Sequence, residues 1–201
     1  MMTELERGIT KGRYLLEKKQ KFNLQPQTRV ICCDKVTQGN NVLLCVGQSN
    51  GTFSLFNLDT LESIHSFQIS EQKIDSISIN PSGEWIALAS KMEGQLFVWE
   101  WKSETYVMKQ QGHFFDLNCM AYSPDGAFIA TGGDDGKIKC WTTKNCLSFT
   151  TFKEHEGAIT DIKFLPKKSN ALLSSSVDGT VRAFDLVKYK NFRTFKPNKQ
   201  T

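Results

Sequence analysis

The sequence predicts an all-β fold made of about four consecutive propeller blades, each a four-stranded sheet. Large aromatic residues recur at intervals of 42 or 43 residues, at Phe56, Trp99, Trp141 and Phe184. Glycines of a preceding turn keep the same intervals, at Gly51, Gly94, Gly136 and Gly179. A period of about 40 to 45 residues is typical of propeller blades. The chain is therefore predicted to be a repeat protein, and this favours binding over catalysis.

The landmarks divide the chain into a lead-in segment and a repeat domain. The segment 1–28 lacks the repeat and is polar and basic, whereas the domain 29–201 holds the repeats. The four repeats are predicted at about 29–70, 71–112, 113–154 and 155–198. A basic cluster in the lead-in segment is interpreted as a solvated face. It consists of Lys18, Lys19 and Lys21.

Within a repeat, turn residues separate short stretches rich in β-branched and aromatic residues, which indicates strands. A second turn recurs with the period, at Pro81, Pro124 and Pro166. In the third repeat the four strands are predicted at 117–123, 128–132, 137–142 and 148–152. One such sheet cannot bury both of its faces, and no returning strand follows the final repeat. We therefore expect the chain to be part of a larger propeller, with seven blades or within a double propeller.

Composition gives weak evidence for function and disfavours a membrane-spanning or secreted protein. The excess of 25 Lys+Arg over 21 Asp+Glu gives a net charge of +4, which is weak evidence for nucleic-acid binding. The six cysteines form no CxxC pair, so we interpret them as reduced thiols of an intracellular protein. No apolar run of about 18 residues and no secretory signal are present, and no membrane partner is expected.

The sequence contains no group of residues that predicts catalysis or metal binding. His113 and His155 occupy equivalent positions of two repeats, which indicates a structural role, and His65 stands alone in a predicted strand. No phosphate-binding glycine loop occurs. The adjacent Cys32 and Cys33 would point to opposite faces of a strand, which disfavours zinc binding. We therefore predict a protein without enzymatic activity, cofactor, metal or small-molecule substrate.

The order of His113, Asp135-Gly136 and Trp141 resembles the WD40 repeat. In that family a histidine, a strand hydroxyl, the turn aspartate and the tryptophan form a buried hydrogen-bonded network. The resemblance assigns such a network to His113, Asp135, Trp141, His155, Ser176, Asp178 and Trp99. No repeat matches completely, because Gly133 stands where the third repeat should supply a hydroxyl. The fourth repeat has Phe184 in place of tryptophan.

Two stretches have residues that are uncommon at their positions in WD40 repeats, and they resemble WD40 proteins of the small-subunit processome in particular. They are GQLFVWEWKSETYVMKQQGH at 94–113 and DGTVRAFDLVKYKNFRTFK at 178–196, and a more generic stretch lies at 122–141. This resemblance implies a nucleolar ribonucleoprotein scaffold in the nucleus that supports maturation of small-subunit rRNA. It implies partnership with other WD40 and helical proteins, and indirect association with pre-rRNA and small nucleolar RNA. A peptide-recognition propeller, such as a ubiquitin-ligase substrate receptor, remains the alternative.

The final repeat ends in a stretch where cations and aromatic residues alternate. The candidate RNA or partner contacts in this stretch are Lys188, Lys190, Arg193 and Lys196. Basic residues interleaved with aromatic side chains are common in nucleic-acid-binding proteins. The alternative is an outer edge strand, anchored by Phe192 or Phe195, whose charges discourage unwanted strand pairing. The two interpretations are compatible.

Overall fold

The computed structural model describes residues 27–114, 116–166 and 168–196, with only the backbone described at 168 and 169. The lead-in segment and its lysines at 18, 19 and 21 thus lie almost entirely outside the described residues. Sixteen strands are present in these ranges, and they form four antiparallel sheets of four strands each. No helix capable of spanning a membrane occurs among the described residues. The predicted all-β fold of four consecutive blades is confirmed.

The strands follow one another without crossovers, so each sheet is a meander. Sheet 1 contains β1 (Val30–Gln38), β2 (Asn41–Gln48), β3 (Thr52–Asn57) and β4 (Ser63–Gln68). Sheet 2 contains β5 (Ser76–Ile79), β6 (Trp85–Ser90), β7 (Gln95–Glu100) and β8 (Thr105–Gln111). Sheet 3 contains β9 (Leu117–Tyr122), β10 (Phe128–Gly133), β11 (Ile138–Thr142) and β12 (Ser148–Phe152). Sheet 4 contains β13 (Ile159–Leu165), β14 (Lys168–Ser176), β15 (Val181–Asp185) and β16 (Lys190–Phe195).

The turn between β9 and β10 shows why this sequence forms tight hairpins. The hydroxyl of Ser123 accepts a hydrogen bond from the amide of Phe128 at 2.9 Å, and Asp125 accepts one from the amide of Ala127 at 3.0 Å. Gly126 has φ of +72°, in the left-handed region that glycine adopts without strain. Pro124, which precedes Gly126 in this turn, fixes its own backbone φ at a value that the turn requires. The strands predicted for the third repeat agree with β9 to β12 to within a residue at each end.

The four sheets pack face to face in chain order. The first strand of each sheet lies innermost, because β1, β5, β9 and β13 are neighbours across the sheet boundaries. Hydrogen bonds join them. The carboxylate of Asp34 in β1 accepts from the backbone amide of Ile79 at 2.8 Å, and Nδ2 of Asn118 donates to the carbonyl of Ile159 at 3.0 Å. A cavity of about 400 Å³ lies along these inner strands.

Three apolar clusters fill the spaces between neighbouring sheets. Phe53, Leu55 and Trp99 belong to the cluster between sheets 1 and 2. Two further clusters lie between sheets 2 and 3 and between sheets 3 and 4. Burial of this apolar surface contributes about 25 cal/mol per Å² and is the main stabilising force between blades.

The turns between strands lie at two opposite ends of the sheets. The connections β4–β5, β6–β7, β8–β9, β10–β11, β12–β13 and β14–β15 share one end, which we call the upper end. The connections within the hairpins β5–β6, β7–β8, β9–β10, β11–β12 and β15–β16 lie at the other, lower end. The histidines at 113 and 155 lie at the upper end, each in the connection that precedes the first strand of its sheet.

Candidate functional site

The polar network predicted for sheet 3 is present, and its hydroxyl comes from Thr131. Nδ1 of His113 lies 3.0 Å from Oδ1 of Asp135, and Nε2 lies 3.0 Å from Oγ1 of Thr131. Nε1 of Trp141 donates to the same hydroxyl at 3.0 Å. The chain of bonds therefore runs from the turn of the β10–β11 hairpin, through the imidazole, to the indole in β11.

The hydrogen-bonding partners fix the protonation of this imidazole. Burial, which the carboxylate of Asp135 only partly offsets, lowers the pKa of His113. The neutral ring donates from Nδ1 to Asp135 and accepts at Nε2 from the hydroxyl of Thr131. That hydroxyl in turn accepts the indole proton of Trp141. The three hydrogen bonds are therefore mutually compatible, and His113 is 1% exposed and unavailable to a substrate in solvent.

The expectation that Gly133 takes the hydroxyl position was wrong, and the strand periodicity explains the error. Residues two apart in a strand face the same side of the sheet. Thr131 faces the same side as position 133 but lies one step further into the blade, opposite Lys139. A Cβ at Gly133 would lie 2.7 Å from Cγ of His113, so glycine leaves the space that the imidazole occupies.

Sheet 4 carries the second network. Its hydroxyl also comes from a residue two positions before the predicted one, from Ser174 and not from Ser176. Nε2 of His155 lies 2.7 Å from Oγ of Ser174, and Nδ1 lies 2.8 Å from Oδ2 of Asp178. Ser176, the predicted member, instead donates to the carbonyl of Gly157 at 2.9 Å. Phe184 stands at the tryptophan position, and it has no N–H to offer Ser174.

The carboxylate of Asp178 is held in its charged form. Burial acts to raise its pKa, but hydrogen bonds from Thr180 and His155 dominate and hold the pKa well below its usual range. The hydroxyl of Thr180 donates at 2.7 Å, and the amide of Glu156 donates at 3.1 Å. The turn between β14 and β15 is thereby tied to the connection that contains His155.

Sheets 1 and 2 do not build this network. Trp99 is buried, but among the described residues its Nε1 has no hydrogen-bond partner. Leu88, opposite Phe97 in the sheet, occupies the place that Thr131 holds opposite Lys139. The indole packs against Phe67 instead, with ring centroids 4.5 Å apart. In sheet 1 the buried polar pair is different, since Gln48 donates to the hydroxyl of Ser54 at 2.9 Å.

The arrangement offers packing and hydrogen bonding rather than a reactive group. Burial raises the pKa of the thiols of Cys32 and Cys119 to about 12, so neither is a thiolate at neutral pH. Within residues 27–114, 116–166 and 168–196, no three histidine, cysteine, aspartate or glutamate side chains form a group that could hold a metal ion. The stabilising role of the two networks stays a prediction.

Two of the four candidate cations in the final stretch lie within β16, and the other two lie outside it. Lys190 and Arg193 lie in β16, opposite Asp185 and Ala183. Arg193 also lies over the ring of Phe195, at 5.0 Å from its centroid. The other two cations lie outside the strand: Lys188 is in the turn before it, and Lys196 follows it. All four side chains are exposed, and their role in contacting RNA or a partner stays a prediction.

The comparisons with known proteins agree with this fold. The WD40 family, described as "WD domain, G-beta repeat", matches residues 104–142 and 146–185. A chain in the crystal structure of the mitotic checkpoint complex superposes with a TM-score of 0.78 and 18% sequence identity. That match covers 88% of this chain and 54% of the other, and it shows the shared fold alone.

Two of the relatives at higher identity share one name, and a more distant relative has another. The periodic tryptophan protein 2 homolog of Dictyostelium discoideum is 45% identical over 99% of this chain and 22% of its own length. Periodic tryptophan protein 2 of Arabidopsis thaliana is 42% identical over 94% of this chain and 21% of its length. A pre-rRNA-processing protein of Meyerozyma guilliermondii is 30% identical over 55% of this chain and 28% of its length. The chain thus spans about a fifth of the length of the first two relatives.

Proposed function

Because this chain carries WD40 repeats and resembles a segment of periodic tryptophan protein 2, we propose that it works as a non-catalytic scaffold in ribosome biogenesis. The observation that carries the proposal is the 45% identity that extends over 99% of the chain. The likeness includes the first two sheets, which lie mostly outside the matched WD40 repeats. The printed name of a further relative, a pre-rRNA-processing protein, supports the same process.

More specifically, we propose that the protein works in the small-subunit processome of the nucleolus. There it joins other WD40 and helical proteins and supports maturation of small-subunit rRNA. Its association with pre-rRNA and small nucleolar RNA is indirect. Exposed turns at both ends of the sheets are consistent with protein contacts, and the imidazoles of His113 and His155 are too buried to act on a substrate.

The repeats 29–70, 71–112, 113–154 and 155–198 are proposed as four blades of a larger propeller. Sheet 4 supports this proposal, because one of its faces packs on sheet 3 while the other carries exposed apolar side chains. Val181 and Phe195 are cross-strand partners on that exposed face. A further blade would cover them and would also restrict access to Arg193 on the same face. Lys188 and Lys196, outside the strand, would remain as candidate contacts.

Affinity purification tests the proposal. The full-length product of the gene that encodes this chain is tagged and purified from nuclear extract, with a tagged WD40 protein of unrelated function as the matched control. We expect enrichment of pre-rRNA and of small-subunit assembly proteins over the control. Recovery of neither, from extract in which the complexes are intact, would contradict the proposal.

A further inference from the structure

The turns that join the third and fourth strands of each sheet have the same backbone conformation. These are the turns β3–β4, β7–β8, β11–β12 and β15–β16, which all lie at the lower end. Each contains a non-glycine residue in the left-handed region, with φ between +50° and +64°, at intervals of 42 or 43 residues. They are Leu61, Glu104, Cys146 and Tyr189. Because the backbones match, the surfaces of these turns are distinguished by their side chains.

The side chains of these turns divide the lower end by charge. In sheets 1 and 2 the turns and the strand residues that flank them carry carboxylates, at Asp59, Glu62, Glu100 and Glu104. Lys102, in the second of these turns, lies 3.4 Å from a carboxylate oxygen of Glu84. In sheets 3 and 4 the turns carry Lys144 and Lys188, and Lys190 follows directly in β16. Positive charge is thus concentrated at the lower end of sheets 3 and 4.

These three lysines form no salt bridge among the described residues. None of the salt bridges within 27–114, 116–166 and 168–196 includes Lys144, Lys188 or Lys190. The carboxylate of Asp185, three residues before Lys188, accepts hydrogen bonds from the amides of Val187 and Lys188 at 2.8 and 3.0 Å. These bonds, helped by the charges of the two nearby lysines, lower the pKa of Asp185. The carboxylate is thus engaged by the backbone of the turn, and the three ammonium groups remain exposed.

Exposed apolar side chains lie beside these lysines. Leu147, Val187 and Tyr189 are each exposed over more than half of their surfaces. The ring of Tyr189 meets that of Phe149 edge-on, with centroids 6.3 Å apart, and this contact joins sheet 4 to sheet 3. The two turns therefore lie side by side. We define the lower patch as Lys144, Leu147, Val187, Lys188 and Tyr189.

The lower patch lies at the boundary between two sheets that both belong to this chain. A further blade would pack on the other face of sheet 4, because sheet 3 already covers the face toward it. The patch would therefore stay open in a larger propeller. Its exposure differs in this respect from that of the apolar side chains on the outer face of sheet 4.

We propose that the lower patch binds an acidic segment of a partner protein. Carboxylates of the segment pair with Lys144 and Lys188, and an aliphatic side chain between them covers Leu147 and Val187. Charge complementarity supports this partner, and burial of the apolar side chains contributes affinity.

The aliphatic side chains of the patch favour a protein over RNA. A strand of RNA would contact the cations through its phosphates and aromatic rings through its bases, and would leave Leu147 and Val187 uncovered. Binding of an acidic segment does not depend on which complex contains the protein, so it goes beyond the proposed function.

Fluorescence anisotropy with the full-length gene product tests the lower patch. The probe is a labelled peptide of sequence Gly-Ser-Asp-Glu-Leu-Leu-Asp-Glu-Ser-Gly, and its control has asparagine and glutamine in place of the acids. We expect saturable binding of the acidic peptide and about tenfold weaker binding of its control. Lys144→Gln with Lys188→Gln should weaken binding of the acidic peptide about fivefold, and Leu147→Ser with Val187→Ser about tenfold.

Matched double variants separate the lower patch from general charge attraction and general apolar contact. Lys35→Gln with Lys153→Gln changes two exposed lysines outside the patch. Met92→Ser with Val177→Ser changes two exposed apolar residues at the upper end. Each of these pairs should change affinity by less than about twofold.

Three outcomes would overturn the proposal. They are absence of saturable binding of the acidic peptide, losses in the control pairs equal to those of the patch variants, and binding of a labelled single-stranded RNA that the Leu147 and Val187 changes weaken. Melting temperatures close to that of the unaltered protein establish that the variants are folded.

Discussion

Nε1 of Trp141 donates to Oγ1 of Thr131 at 3.0 Å, and this bond joins two strands of sheet 3 through a hydroxyl that also contacts His113. Both residues are buried, Thr131 completely and Trp141 with 4% exposure. Water therefore cannot replace either partner. The hydroxyl at 131 satisfies an indole donor and an imidazole acceptor together.

Replacing that hydroxyl is expected to destabilise the chain strongly. Thr131→Val keeps the shape but leaves a buried N–H and a buried imidazole nitrogen unpaired, each costing about 1 to 3 kcal/mol. The free energy of unfolding should therefore fall by about 2 to 6 kcal/mol in urea titrations. Thr160→Val, in which an exposed strand threonine is changed, is the control and should stay within about 0.5 kcal/mol. A loss no larger than that of the control would show that the network is not stabilising.

The sequence was sufficient for the fold but not for every member of the network. The constant interval between aromatic residues and turn glycines identified the sheets, because strand length and turn geometry are local properties. The partner of His113 depends on how far the ring reaches into the blade, and this distance is set by packing. Positions 131 and 133 face the same side of their sheet, as do positions 174 and 176. The alternation of side chains along a strand therefore could not choose between the two positions of each pair. Sheet pairing resolves both.

The two tryptophans should differ in their response to the same substitution. Trp141→Phe removes a satisfied hydrogen bond, whereas Trp99→Phe removes an N–H that has no partner. Both changes remove a similar apolar volume. We expect Trp141→Phe to lower the free energy of unfolding by about 1 kcal/mol more than Trp99→Phe does. Equal losses in parallel denaturant titrations would contradict the assignment of the two indoles.

Stability should fall with acidification through His113. Burial lowers its pKa below the ordinary value of 6.5, so the unfolded chain binds this proton more readily than the folded chain. The contribution is complete above pH 6.5 and is lost as the pH falls toward the lower folded pKa. Thermal melts between pH 8 and pH 5 should show a falling melting temperature, with a shallower slope in His113→Gln. Identical slopes would contradict the prediction.

Asp178 extends the same acid sensitivity to lower pH. Its folded pKa lies below the ordinary 3.8, so its contribution is present above pH 3.8 and is lost as the pH falls through the folded value. Asp178→Asn should therefore flatten the dependence of stability on pH only in this more acidic range. Urea titrations at pH 7, 6, 5 and 3 measure it, and flattening already between pH 7 and pH 6 would contradict the assignment.

Exposed apolar side chains on sheet 4 should cause the isolated chain to self-associate. Val181 is 38% exposed and Phe195 is 45% exposed on one face. Sedimentation velocity should show concentration-dependent association that Val181→Ser with Phe195→Ser reduces. Leu147→Ser with Val187→Ser is the matched control. These residues are also exposed, 60% and 64%, but they lie in turns at the lower end and not on that face. A monomer at every concentration would contradict the prediction.

The proposed scaffold function in rRNA maturation can be tested in cells. The most direct measurement compares pre-rRNA processing with protein abundance in cells depleted of the endogenous protein and complemented with the full-length product carrying His113→Gln or His155→Gln. We predict that depletion causes small-subunit rRNA precursors to accumulate and that each variant restores processing in proportion to its folded abundance. Unchanged precursors after depletion, or lost processing at normal abundance of a folded variant, would contradict the account.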